Sequence, residues 1–377
     1  MEGVLYMQFS VDKPTLLSQI QKISKVSPTR STMPILNSIL FEVEGNNLTL
    51  RSSDIEITMS TTFKVNGIRN GNLAIPNRMI LDIVNEVEEV DVEFNTNEDG
   101  LITLTAGKGV YEIMGRPGEE FPSVPNVTPV SSLTVENHVL RRMIHKTIIA
   151  VSRDELKPAL MGVLFQIRKD ELHTVATDGH RLVYISRKNF TSDEYEGDVI
   201  IPTKFLNLLS GYLDVDGTTS ITLGENHVKV ELDSTVIFSR IIDEQFPDFA
   251  SVIPKDNKKI LTASVAKIIA TIRRVSIFSN KTTHQISFIL NRDSSKVSTL
   301  NQENRSSAEE EIEVIYDADD MVIGYNAEYL KDILRNVETE NVIMKLNTPI
   351  SSCVVFPEQQ ETDEELTMLL MPIRLND

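Results

Sequence analysis

The sequence predicts an α+β chain made of three tandem copies of one domain, each with two helices packed on an antiparallel sheet. Three observations predict it. Apolar residues recur at helical spacing in six places and alternate at strand spacing between them. Short landmarks repeat at a period near 125 residues. That period is domain-sized, so the copies are tandem domains and not the stacked units of a solenoid.

The first landmark is a strand, a turn and a helix: "NLAIPNRMILDIV", "DVIIPTKFLNLLS" and "MVIGYNAEYLKDIL". Pro76, Pro202 and Asn326 align, at intervals of 126 and 124 residues. After each come apolar residues that share one helical face: Met79, Ile80, Ile83; Phe205, Leu206, Leu209; Tyr329, Leu330, Ile333. The second landmark is Phe121-Pro122, Phe246-Pro247 and Met371-Pro372, at intervals of 125. The third is the helix that opens each copy, over 12–27, 136–152 and 263–279. Shorter helices are predicted over 77–86, 203–213 and 327–337. The run "LNSILFEVEGNNLTLRSSDIEITMSTTF" reads as strands, with a hairpin turn at Asn46-Asn47. The Pro-rich stretches 122–132 and 252–259 place domain limits at 1–130, 131–257 and 258–377.

Composition narrows the function. With 41% hydrophobic and 24% charged residues, the chain reads as a soluble globular protein. An apolar run of eighteen residues is absent from the sequence, which argues against a membrane span. The acidic, interrupted "MEGVLYMQFSV" argues against a secretory signal, and Met7 is a second candidate start behind six extra residues. A lone cysteine, Cys353, suits a reducing cytoplasm and reads as a buried strand position and not a nucleophile. The net charge of −18 argues against nucleic acid, which usually meets a basic footprint. The distribution of charge argues the other way. The six predicted helices carry 13 Lys and Arg against 6 Asp and Glu, inside a strongly acidic chain. Lys and Arg are good helix formers, but Glu is as good and is scarce there. If the six helices line one surface, that surface attracts phosphate while the exterior repels it.

"TVATDGHRL", Thr174 to Leu182, groups an acid, a glycine, an imidazole and a guanidinium after a strand. A capped strand end, a metal or acid–base pair of Asp178 with His180, and a binding loop are all compatible with it. Asp54 and Gln302 stand 124 residues to either side, and neither is followed by Gly or His. On that comparison Gly179 is not demanded by turn chemistry, and 177–182 is a specialisation of the second copy. Catalysis is disfavoured: the sequence has six His and one Cys and lacks HxH, CxxC, GxSxG and Walker A patterns. "AEEEIEV" (308–314) could suggest acidic metal catalysis, but it reads as a solvated outer face.

"TVATDGHRL", "FPDF" followed by "VIP", "RSTMPIL" and the terminal "MPIRL" together resemble the bacterial DNA polymerase III β subunit family, the replicative sliding clamps. The likeness runs in register from about Met7 to Leu375. It implies a clamp fold that dimerises head-to-tail into a closed ring, with helices lining the hole and sheets outside. It also implies a non-catalytic processivity factor without cofactor or metal, a homodimer that encircles duplex DNA independently of sequence. Its further partners would be the DNA polymerase III α subunit, the clamp loader, and other polymerases and repair proteins carrying short Gln-plus-Leu/Phe motifs.

By the same resemblance, the partner-peptide pocket takes Leu160, Thr177, Gly179, His180, Arg181, Leu182, Pro247 and Val252. From the third domain it takes Ile350, Ser352, Leu369, Met371, Pro372, Ile373, Arg374 and Leu375. DNA contact falls to Arg30, Arg78, Arg141, Lys157 and Lys204. Ile277 and Phe278 match an apolar pair buried between subunits, although they could instead finish the core face of their own helix. The chain departs from the family pattern at Ser251, in place of an arginine, at Ile373, in place of a methionine, and at Pro158 and Ala159, in place of a tyrosine pair.

Overall fold

The computed structural model describes residues 7–88, 90–188, 190, 196–213 and 216–375; the six leading residues lie outside them. In the first repeat β1 (Gln8–Asp12) runs into α1 (Lys13–Ile23), followed by β2 (Ser38–Glu44), β3 (Asn47–Ser53), β4 (Ile57–Lys64) and the short β5 (Asn66–Arg69). Then β6 (Gly71–Pro76) runs into α2 (Asn77–Glu86), followed by β7 (Asp91–Thr96), β8 (Leu101–Ala106), β9 (Gly109–Met114) and the two-residue β10 (Arg116–Pro117). Each half is therefore a strand, a helix and a meander.

The second repeat has the same order: β11 (Ser131–Glu136), α3 (Asn137–Thr147), β12 (Gly162–Ile167), β13 (Glu171–Thr177), β14 (Arg181–Lys188), then β15 (Gly197–Pro202), α4 (Thr203–Ser210), β16 (Thr218–Leu223), β17 (His227–Leu232), β18 (Thr235–Arg240). The third has β19 (Lys259–Ser264), α5 (Val265–Ser276), β20 (Gln285–Leu290), β21 (Ser295–Asn301), β22 (Ser306–Ile312) and the short β23 (Val314–Tyr316). It continues with β24 (Met321–Asn326), α6 (Ala327–Arg335), β25 (Asn341–Leu346), β26 (Cys353–Pro357) and β27 (Glu364–Leu370).

Every helix follows a strand without a loop, and this shortens the predicted helices at their starts. Asp12, Glu136 and Ala263-Ser264 belong to strands. The Asp12 carboxylate accepts from the Thr15 amide at 2.9 Å, with Pro14 in the first turn, where a missing N–H costs nothing. The aligned Pro76, Pro202 and Asn326 are the N-caps of α2, α4 and α6, and only Asn326 also caps with its side chain. The predicted apolar face holds in α4, where Phe205, Leu206 and Leu209 are buried. In α2 it rotates: Ile80 and Val84 are buried, whereas Met79 is exposed.

Two details correct the sequence reading. The β2–β3 hairpin turns at Gly45-Asn46 and not Asn46-Asn47, because Glu44 pairs with Asn47 and Gly45 supplies the left-handed residue, φ 56°. The second landmark is equivalent only in its first two copies. Phe121-Pro122 and Phe246-Pro247 lie well beyond their last strands, whereas Met371-Pro372 directly follows β27.

Pairing is antiparallel throughout. One nine-stranded sheet runs β10-β6-β2-β3-β4-β18-β17-β16-β11 and the other β15-β12-β13-β14-β27-β26-β25-β19-β23. A five-stranded sheet, β5-β1-β7-β8-β9, and a four-stranded one, β22-β21-β20-β24, complete the set. Pairing of β4 with β18 and of β14 with β27 joins strands of different repeats. The second repeat is thereby shared between two compact units, Met1–Glu136 with Asp214–Ile241 and Asn137–Leu213 with Ile242–Asp377.

In the first unit Leu16, Ile20 and Ile23 of α1 are buried, and Phe9 stacks on Phe94 at 4.6 Å. In the second, Ile268, Ile272 and Val275 of α5 are buried, and Phe288 meets Tyr325 edge-on. Cys353 is wholly buried at the start of β26, and burial pushes its thiol up to about 12, so it is held as a thiol and not a thiolate. Among the described residues no helix is long and apolar enough to cross a membrane.

Candidate functional site

The DGHR segment, 178–181, is the turn that leaves β13 and ends on Arg181, the first residue of β14, and it lies in the second unit. Thr177 Oγ1 donates to the Arg181 carbonyl at 2.7 Å and accepts from the Gly179 amide at 3.1 Å. Asp178 Oδ1 accepts from the amides of His180 and Arg181 at 2.9 and 3.0 Å. Gly179 is left-handed, φ 90°. The first repeat builds the same turn at 54–57: Ser53 Oγ donates to the Ile57 carbonyl and accepts from the Ile55 amide, and Asp54 Oδ1 accepts from the Ile57 amide at 2.7 Å. Ile55, the counterpart of Gly179, has φ 81°. The expectation drawn from the repeats is therefore overturned: this turn does require a left-handed second residue, and the first repeat meets the requirement with a strained isoleucine. What the second repeat adds is side chains on a shared scaffold.

Those side chains reach across the unit. Arg181 Nε meets Asp178 Oδ2 at 3.1 Å, its Nη1 meets Asp332 Oδ2 of α6 at 2.7 Å, and its guanidinium lies over the Tyr329 ring at 4.6 Å. His180 stacks on the same ring, with centroids 5.9 Å apart. The Asp178 carboxylate is thus engaged by two amides and a guanidinium, which speaks against an acid–base or metal pair with His180. Among the described residues no group of three or more His, Cys, Asp or Glu side chains could hold a metal ion.

Below the turn, Leu182 pairs with Leu369 across β14 and β27, and the Met371 amide donates to the His180 carbonyl at 2.8 Å. Leu164, Val175, Leu182, Ile200 and Leu369 form a buried apolar floor, against which Ala159, Tyr184, Ile242, Phe246, Phe249 and Ile253 pack half-buried. Leu160 sits in the 3-10 turn Pro158–Met161 beside Ala159. Among the tail residues, Ile373 donates its amide to the Gly324 carbonyl at 2.8 Å, Pro372 and Leu375 are half-buried, and Arg374 is exposed. Ser352 is held by its carbonyl, which accepts from Asn257 Nδ2 at 2.9 Å. Pro247 and Ile350 are exposed in loops and Val252 at the end of the 3-10 turn Ala250–Val252, outside the buried floor. Sequence reasoning misses Tyr184, Phe246, Phe249, Tyr329 and Asp332. In sequence, "FPDF" is a landmark and Tyr329 a helix-face residue. The signal that could have found them is the concentration of aromatic rings near the DGHR segment and its partners.

Ile277 and Phe278 do not finish the core face of α5: they are 66% and 43% exposed at its end. The neighbouring β22 is not wholly a solvated face: Glu310 on it faces α5, bonded to Thr271 and Arg274, while Lys267 pairs with Glu313. A cleft of about 260 Å³ lies between α5 and β22, but its two cations, Lys267 and Arg274, are already paired with Glu313 and Glu310. On β9, an edge strand of its sheet, Val110, Tyr111 and Met114 are exposed.

Arg30, Arg78, Arg141, Lys157 and Lys204 are all exposed. Arg78 and Lys157 have loose neighbours, Asp82 and Asp154, at 3.9 Å each. The helical charge count overstates the basic surface, however. Arg142 is bound bidentately by Glu364, which with Glu338 raises its pKa, and both Glu364 and Lys146 are buried. Lys146 Nζ reaches Glu338 at 2.8 Å, yet burial outweighs this pairing and lowers its pKa. Lys331 is likewise buried against Glu328.

Comparison with known proteins follows the same division into repeats. Three family models match in succession: the DNA polymerase III beta subunit N-terminal domain over 7–125, its central domain over 134–248 and its C-terminal domain over 250–374. Proteins named beta sliding clamp from Haemophilus influenzae and Pseudomonas putida are each 28% identical, over 98% of this chain and 100% of their own. A solved sliding clamp from Pseudomonas aeruginosa superposes with a TM-score of 0.92 at 28% identity, covering 98% of this chain and 100% of that one. One from Bartonella birtlesii, solved bound to griselimycin, gives 0.93 at 25% identity with the same coverage. The chain belongs to the DNA polymerase III beta subunit family.

Proposed function

We propose that this protein is a DNA sliding clamp: two copies close head-to-tail around duplex DNA and tether the replicative polymerase, with no catalytic step of its own. One observation carries the ring. Repeats join where the third strand of one copy's first meander pairs with the last strand of another's second, β4 with β18 and β14 with β27. By that rule β22 and β9 are left over, at the edges of their sheets. A second copy supplies the missing partner for each, antiparallel, and two such seams close a ring. The exposed Ile277 and Phe278 near one edge and Val110, Tyr111 and Met114 on the other support this reading, since such apolar surface favours burial. The three domains of each copy are 1–130, 131–257 and 258–377.

Topology then does what affinity does elsewhere. A closed ring cannot leave circular DNA, so phosphate contacts by Arg30, Arg78, Arg141, Lys157 and Lys204 can be few and sequence-independent. Tight contacts would slow sliding. The cleft at 177–182, completed by Leu369 and the tail, receives short peptides of the polymerase α subunit, clamp loader and other polymerases and repair proteins. Its apolar floor and few polar groups suit an inserted Leu or Phe with one polar anchor. Solved relatives bound to griselimycin support a ligand-binding role for the clamp surface. A cytoplasmic location fits these proposed partners.

Retention on DNA after loading tests the proposal. Protein that stays on a nicked circle in high salt, and is lost once the circle is linearised, has encircled it. Equal loss from both forms, or a monomer at micromolar concentration by sedimentation, overturns it.

A further inference from the structure

The segment after β27 is the third copy of a connector. After β9 the chain bridges Arg116 to Ala74 of β6, and after β18 it bridges Ile242 to Ile200 of β15. After β27 it bridges Ile373 to Gly324 of β24. In the third, backbone contacts hold residues 371–375: the Ile373 amide on the Gly324 carbonyl at 2.8 Å, and upstream the Met371 amide on the His180 carbonyl at 2.8 Å. The bridged residue differs. Ala74 and Ile200 carry side chains, so the bridge itself tolerates a Cβ. At Gly324 a Cβ would stand 2.6 Å from Leu375 Cδ2 and 2.7 Å from the Ile373 carbonyl oxygen. Leu375 could turn away, but the Ile373 oxygen is backbone, and the tail itself would have to move.

We propose that Gly324 is a positioning residue for the docking cleft: its missing side chain forms the socket that seats Leu375 and lets the tail lie on the edge of β24. It touches no docked peptide on this reading. It acts by holding Met371 to Leu375 beside the 178–181 turn, so the inference rests on the assignment of that cleft as the peptide site.

The test uses the full-length protein and a fluorescein-labelled peptide with a Gln-plus-Leu/Phe motif, read by polarisation, with hydrogen exchange at the Ile373 amide. Gly324→Ala and Gly324→Val are expected to lose protection at Ile373 and to weaken the peptide by about tenfold, the loss of one or two tail contacts. His180→Ala is expected to weaken the peptide as well, through the cleft itself. If His180→Ala weakens binding while Gly324→Ala changes neither protection nor affinity, the positioning role is wrong and the cleft stands. If His180→Ala and removal of 371–375 both leave affinity unchanged, the cleft assignment fails first. Should Gly324→Val not fold, Gly324→Ala, the smaller change, decides.

Discussion

Gly179 and Ile55 occupy the same place in two copies of one hydrogen-bonded turn, and both are left-handed, φ 90° and 81°. For a β-branched residue this conformation costs roughly 1–2 kcal/mol of strain. Ile55→Gly should therefore raise the urea midpoint, by less than that strain because glycine gains entropy when unfolded. Gly179→Ala should cost about 1 kcal/mol from backbone alone, since nothing lies within 4 Å of the new Cβ. A drop in stability for Ile55→Gly would contradict the strain at this turn.

The clasp of Arg142 on Glu364 is expected to matter through desolvation. Glu364→Ala leaves a half-buried guanidinium to Glu338 alone and should destabilise by about 2 kcal/mol, whereas the double change Arg142→Met with Glu364→Leu should recover most of that loss. Denaturant midpoints of the three proteins check it. A double variant as unstable as the single one would mean the pair holds more than its own charges.

A pH dependence follows at Glu338. Burial alone would raise its pKa, but hydrogen bonds from Lys146 and Arg142 outweigh burial and hold the carboxyl below its usual range. A lowered carboxyl stabilises the fold above the unfolded-chain value, about 4.3, and that stabilisation disappears as pH falls through the lower folded value. Wild type should thus exceed Glu338→Gln in stability at pH 7 and converge with it in acid. A difference that grows toward low pH would reverse the sign.

At the proposed seam, Ile277→Asp or Phe278→Asp puts a charge where apolar surface should be buried. Either change should weaken self-association at least about tenfold by sedimentation, while melting of the monomer stays put because both side chains are exposed. Tyr111→Asp on β9 should have the same effect. Unchanged dimerisation in all three would move the seam elsewhere.

For the proposed DNA contacts, Arg30→Ala and Lys204→Ala should each lower the salt dependence of DNA binding by a slope of about 0.9 per lost phosphate contact, and leave peptide affinity alone. Arg142→Ala should not change the slope, since Glu364 and Glu338 already engage its guanidinium.

The sequence alone determined the repeats, the six helices and the chemistry of the DGHR segment. Helical and strand periodicity is local, and a residue pattern copied three times reports its own period. The exposure of Ile277 and Phe278, by contrast, is a property of what does not pack against them, and helical spacing could not tell a core face from a seam. Charge counts likewise place Arg142 and Lys146 on the surface, because their partners Glu364 and Glu338 are some two hundred residues away in the chain. The need for Gly179 is hidden for a related reason: a left-handed backbone has no residue code when Ile55 can be forced into it. Tertiary structure decided all three, since each depends on which distant groups close over a side chain or a turn, and local pattern carries no record of that.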